Sequence, residues 1–213
     1  MANIDSKPLE FYSKRVKNLW ISTHDNPHAF EGILSVCSGV ENLVLFTFYP
    51  FTPFLEPPIA SSHLRRLTCR LEHLFPPWST TPNFQHSCFA NLTHLHLFDN
   101  VGTWSTYGGF ENLSSLSHLA LGYYYPEELA ILMPKLPALE YVAISKYEMS
   151  GHTPRIDTKD PIEVYDIRVV QIKGLCSDDW EHGVTGRGDF WDLVEQEVIR
   201  RQLEAGMVRV LCY

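Results

Sequence analysis

Residues 92–100, Leu-Thr-His-Leu-His-Leu-Phe-Asp-Asn, place leucines at 92, 95 and 97 and an asparagine at 100. The second half of this stretch alternates with period two. Leu95 and Leu97 therefore share one side of a short strand, and His94, His96 and Phe98 share the other. The same apolar-x-x-apolar-x-apolar spacing recurs outward in both directions. It stands at Val16-x-x-Leu19-x-Ile21, Val40-x-x-Leu43-x-Leu45 and Leu64-x-x-Leu67-x-Cys69 on the N-terminal side. On the C-terminal side it stands at Leu116-x-x-Leu119-x-Leu121, Leu139-x-x-Val142-x-Ile144 and Ile167-x-x-Val170-x-Ile172. The first positions of the seven units are 24, 24, 28, 24, 23 and 28 residues apart. One such hexamer is common by chance in a Leu-rich chain, but seven in phase are not.

A step of this length is the leucine-rich-repeat period. One unit cannot bury its own apolar face, so stacking must bury it between neighbours. Each return brings the chain back to the same end, which makes the strands parallel. The expected fold is α/β: a leucine-rich-repeat solenoid with a single curved parallel sheet of about seven short strands. The strands should centre near residues 19, 43, 67, 95, 119, 142 and 170. Leu19, Leu43, Leu67, Leu95, Leu119, Val142 and Val170 should form one buried ladder. The returns are expected to be irregular. Residues 27–38 read as a helix with Asn26 as cap and Pro27 in its first turn, and 126–133 as a short helix between Pro126 and Pro134. Residues 50–60 read as a proline-rich arc. The return at 71–90, with Pro76, Pro77 and Pro82, reads mostly as loop, and 99–112 as irregular. The whole chain, 1–213, reads as one repeat domain, with repeats over 16–172 and a C-terminal cap over 173–213. Residues 174–188 read as loop. Residues 189–205 read as an amphipathic helix capped by Asp189, with Trp191, Val194, Val198 and Leu203 along one face, the first three of which cover the last strand. Before the first strand only Leu9, Phe11 and Tyr12 offer cover.

Composition narrows the function classes. The chain carries 17 Lys+Arg against 25 Asp+Glu, and a charge of −8 repels phosphate backbones, which argues against nucleic-acid binding. No apolar run approaches the roughly 20 residues of a membrane helix, and the polar N-terminus has no signal-peptide core. Five scattered cysteines without a CxxC fit reduced thiols, and with them a cytoplasmic or nuclear location.

The tail segments Asp166-Ile-Arg-Val-Val, Asp178-Asp-Trp-Glu-His-Gly and Gly186-Arg-Gly-Asp-Phe-Trp, leading into Val194-Glu-Gln-Glu-Val-Ile-Arg-Arg, extend the resemblance beyond the repeats. Together with the irregular Leu-rich units they make the chain similar to fungal F-box/leucine-rich-repeat-like proteins. In that family an N-terminal F-box recruits a ubiquitin-ligase adaptor and the repeats hold the substrate. No F-box is found in this chain, so the resemblance implies an adaptor as partner only if an F-box lies upstream.

In a parallel repeat sheet, equivalent positions stack into columns. On the expected concave face these carry Trp20, Phe46, Arg66, Arg70, His94, His96, Phe98, His118 and Tyr141, a mixture of aromatic, Arg and His side chains suited to anchoring a protein partner. This face is the candidate binding site. His94, His96 and His118 also have the chemistry of zinc ligands, which leaves a metal-dependent hydrolase as an alternative, although no carboxylate column orients them and neighbouring strands are expected to spread the rings apart. A truncated or orphan repeat protein without a retained partner is a second alternative. The glycines at 183, 186 and 188 precede a helix in the reverse of the nucleotide-loop order, and Asp189 repels phosphate. Arg187-Gly188-Asp189 and the sequons at Asn91 and Asn112 read as chance matches. GxSxG, HExxH and Walker A motifs are absent from the sequence. The expectation is a non-enzymatic protein-binding scaffold without cofactor, the substrate-recognition part of an F-box-type receptor.

Overall fold

A computed structural model of the chain describes residues 7–23, 28–47, 63–71, 74–75, 83–98, 106–122, 126–146, 154–157, 166–173 and 177–206. The Asn26–Pro27 cap, the arc at 50–60, Pro76, Pro77, Pro82, Asn100, Cys176 and Cys212 lie outside the described residues.

All seven apolar hexamers feed a strand. They give β1 (Asn18–Thr23), β2 (Asn42–Thr47), β3 (Arg66–Cys69), β4 (His94–Leu97), β5 (His118–Leu121), β6 (Tyr141–Lys146) and, beyond a short β7 (Arg155–Ile156), β8 (Val169–Lys173). These form one eight-stranded sheet in the order β1-β2-β3-β4-β5-β6-β8-β7. Every pair is parallel except β7–β8. The fold is α/β, and the antiparallel β7 was not foreseen.

From β1 to β6 the register is the one the hexamers dictate. Asn18, Asn42, Arg66, His94, His118 and Tyr141 stand in one row, and Leu19, Leu43, Leu67, Leu95, Leu119 and Val142 in the next. A repeated backbone device holds it. The carbonyls of Lys17, Glu41, Arg65, Thr93 and Ser117 each accept two consecutive N–H groups that open the following strand. The leucine row is buried from Leu43 onward, whereas Leu19, on the edge strand, is only half-buried.

The pattern breaks at the last strand. Val142 pairs with Val169, not Val170, and Ala143 pairs with Val170. A one-residue slip turns every side chain to the opposite face. Val169 joins the leucine-face core, while Val170 and Ile172 turn to the other side, so Val170 does not belong to the ladder. Both phases of Val169-Val170-Gln171-Ile172 contain apolar residues, so apolar pattern alone does not choose between them. Gln171, left on the leucine side, donates to the Asp157 carboxylate at 3.0 Å, and Lys173 reaches the same oxygen at 2.7 Å. Those bonds stabilise the slipped register.

Among the described residues five helices accompany the sheet: α1 (Leu9–Arg15), α2 (His28–Val36), α3 (Pro126–Leu132), α4 (Ser177–Val184) and α5 (Phe190–Glu204). Leu34 from α2 and Leu129 and Leu132 from α3 close the leucine-face core. Short 3-10 turns at Ser87–Phe89 and Phe110–Leu113 add Phe89, Phe110 and Leu113 to it. The segment read as loop at 174–188 contains α4. Its acidic start suits a helix N-terminus, and Gly186, at φ 76°, ends it with Arg187 N–H bonded to the His182 carbonyl.

Candidate functional site: the histidine face and its helical cover

The face opposite the leucines carries the row His94–His118–Tyr141, with His96, Ala120 and Ala143 two residues further along the strands. It was expected to be open to a partner. Instead α4 and α5 lie across it. Phe190, Trp191, Val194 and Val198 of α5 form a second core with Ala120, Ala143, Val170 and Ile172. The register slip supplies two of those eight side chains. α5 was expected to shield the end of the sheet; it packs on β8 through the sheet face and reaches back as far as β3.

Local chemistry places the helix. Asp189 caps α5, accepting from Trp191 N–H at 2.9 Å, while Asp192 accepts from Asp189 N–H at 2.7 Å. This reciprocal box satisfies amides that an uncapped helix leaves open. The same Asp189 carboxylate meets Arg66 Nη1 of β3 at 2.8 Å. At the far end Arg201 donates to the Val169 carbonyl at 2.7 Å, its guanidinium also held by Glu197. A Cβ at Gly183 would sit 2.1 Å from Asp189 Oδ2, so the α4–α5 corner requires a residue without one.

Beneath the helix the imidazoles stack. His94 and His118 lie 3.9 Å apart with planes inclined by 11°, and His118 continues onto Tyr141 at 4.6 Å. Trp191 stands edge-on to both histidines, at 5.4 and 5.2 Å. His118 Nε2 lies 3.0 Å from Glu195 Oε1 and Nδ1 lies 2.7 Å from Ser117 Oγ. The neutral ring therefore donates from Nε2 to the carboxylate and accepts at Nδ1 from the serine. His96 is buried between Phe98 (4.6 Å) and Phe190 (5.6 Å), and its Nε2 has no hydrogen-bond partner.

Burial disfavours charge on all three rings. It pushes His96 down to about 3. It pushes His118 down to about 4, the Arg66 charge adding to the effect against Glu140 and Asp189. It pushes His94 down to about 2, with His118 and Arg66 contributing. On the helical side burial raises the Asp179 carboxyl to about 7, and Asp189 and Asp192 push the same way against its bond from Phe190 N–H.

The remaining expected residues line one end of this interface. Trp20 packs on Trp180 of α4 at 5.5 Å and tilts toward Phe46, which meets Phe98 at 5.4 Å. Arg70 is half-buried one residue beyond β3. The face opposite the leucines thus carries Trp20, Phe46, Arg66, His94, His96, Phe98, His118 and Tyr141, with α4 over Trp20, and α5 and its cap over Arg66 and the three histidines. Trp180, Asp179, Phe190 and Glu195 were not singled out in the sequence. The signal for them was the acidic start of a helix opposite a row of Arg and His.

The metal reading fails on geometry. Stacked, nearly parallel imidazoles aim their lone pairs side by side rather than at one point, and His96 faces aromatic rings. Among the described residues no group of three or more His, Cys, Asp or Glu is placed to hold a metal ion. Ser117–His118–Glu195 has the connectivity of an acyl-transfer relay. However, the hydroxyl–imidazole contact repeats one unit earlier, at Thr93 Oγ1–His94 Nδ1 (2.9 Å), where the ring stacks on His118 and Trp191 instead of meeting a carboxylate. A contact that recurs at successive strand starts is a property of the repeat.

No helix among the described residues is long and apolar enough to cross a membrane. No family model matches the chain, and no curated protein and no solved structure matches it.

Proposed function

We propose that the chain is a protein-interaction scaffold of leucine-rich-repeat type, the substrate-recognition part of an F-box-type ubiquitin-ligase receptor. The observation that carries this reading is the unbroken row-by-row register of β1 to β6, in which units of near-constant length present equivalent side chains in columns. Such an array fixes many side chains on one rigid frame, which suits recognition of a protein surface. The solenoid assignment belongs to the same proposal and rests on the period of the hexamers. A partner meets either the outer surfaces of the array or, after α4 and α5 move, the histidine face.

The adaptor step gives the test. The polypeptide encoded by the complete gene is purified and titrated with a ubiquitin-ligase adaptor by calorimetry, beside residues 1–213 alone. The ligase reading expects stoichiometric binding by the complete polypeptide, through a segment upstream of residue 1, and none by residues 1–213. Absence of binding by the complete polypeptide removes the ligase role.

A further inference from the structure

Buried His96 and His118 and half-buried His94 lie beneath one helix, and little in their surroundings welcomes a positive charge. The stacked pair His94–His118 sits 3.9 Å apart, so two protonated rings would repel at contact distance. Trp191 closes the edge of both rings, and the Arg66 guanidinium adds positive charge nearby. Protonated His96 would hold a buried N–H at Nε2 with no acceptor. Among the described residues, His118 alone of the three has a carboxylate in hydrogen-bond reach, that of Glu195. We propose that α4 and α5 form an acid-released cover: His94, His96 and His118 take up protons only when the helices lift, so acidification uncovers the histidine face. The proposal goes beyond the scaffold reading and does not depend on the identity of any partner.

The charges facing the histidines set the balance. Arg66 on β3 opposes protonation. Glu140, just before β6, and Asp189 and Glu195 on α5 favour it or compete for the proton, and Asp179 on α4 faces Asp189 and Asp192. The sign follows from linkage. The three rings have depressed values when covered, so between those values and the ordinary 6.5 the uncovered state binds more protons, and acid favours uncovering. Asp179 acts oppositely. Its carboxyl is raised to about 7 when covered, so acid stabilises the covered state through it. Asp189 and Glu195 are also raised by burial and add to that brake. Between pH 7.5 and 5.5 uncovered His96 multiplies the opening constant about tenfold, the His94–His118 pair, which the strands keep stacked, takes up about one proton and contributes a comparable factor, and Asp179 divides it about 25-fold. The histidines against the Asp179 brake leave a net increase of about a few-fold.

Hydrogen exchange resolved by segment, corrected for the intrinsic pH dependence of exchange, tests this on the whole chain. Protection of residues 190–198 is expected to fall about a few-fold from pH 7.5 to 5.5, while β2 and β3 keep theirs. His96→Phe removes one proton site without losing a hydrogen bond, and loss of its factor of about ten should cancel or reverse the fall. Asp179→Asn removes the brake and should enlarge it. A fall of the expected size with both variants moving in these directions supports the cover. A pH-independent α5, an equal fall in β2 and β3, a fall unchanged by His96→Phe, or an Asp179→Asn profile no steeper than wild type overturns it.

Discussion

Replacing Trp191 by alanine probes the packing of the cover on the sheet. The indole is 5% exposed and lies 4.4 Å from the Phe190 ring, with His94 and His118 beneath its edge. A buried tryptophan removes about 150–250 Å² from water, worth roughly 4–6 kcal/mol at about 25 cal/mol per Å². Measured Trp→Ala losses in cores run about 3–5 kcal/mol, because the cavity collapses only partly. Here collapse is restricted at both ends of α5, by Asp189 on Arg66 and by Arg201 on the Val169 carbonyl. The expected loss is therefore about 3–5 kcal/mol. Urea unfolding followed by far-ultraviolet circular dichroism measures it, since four other tryptophans would blur a fluorescence signal. A loss below about 1 kcal/mol would show that Trp191 is not packed in a core, and the covered histidine face would fall with it.

Leu95→Ala, in the centre of the leucine row and fully buried, should cost about 2–5 kcal/mol in the same assay, and a loss below about 1 kcal/mol would place Leu95 outside the core. Asp189→Ala deletes the α5 cap and the Arg66 partner and should lower stability by about 1–2 kcal/mol, with Asp189→Asn milder because the amide oxygen still caps. In a nitrogen-15 NMR titration, His118 and His96 should stay neutral well below the ordinary 6.5 for as long as α5 covers them. The stability held by these neutral rings is complete above the unfolded value of about 6.5 and is lost as pH falls toward the folded values, so acid should destabilise the chain; folded-state titration near 6.5 would contradict the burial.

The row structure of the sheet was legible because it depends on one local rule. Period-two apolar residues repeated at a constant step leave a single register in which Leu43, Leu67, Leu95 and Leu119 all face inward. The rule loses force at residues 167–172, where both strand phases are apolar, and the decision passes to Asp157 and to α5, which lie 10 or more residues away in sequence. The α5 helix and its Asp189 cap were visible for the same local reason that made the strands visible. Its docking site was not, because a pattern of Trp191, Val194 and Val198 says that a face is buried without saying against what. The rows of aromatic and charged residues follow from the register of the strands. Their exposure was misread because Asp189–Arg66 and Glu195–His118 join residues 123 and 77 positions apart. The α4 helix escaped notice because its glycine and acidic residues resemble loop composition.

The placement of α5 over the histidines is tested most directly by nuclear Overhauser contacts at neutral pH in protein labelled at tryptophan and histidine. The ring centres of Trp191 lie 5.4 and 5.2 Å from those of His94 and His118, edge-on, so cross-peaks from the indole protons to both imidazoles are predicted. A spectrum with the His94–His118 contact of the stacked strands but without any contact from Trp191 would contradict the covered face.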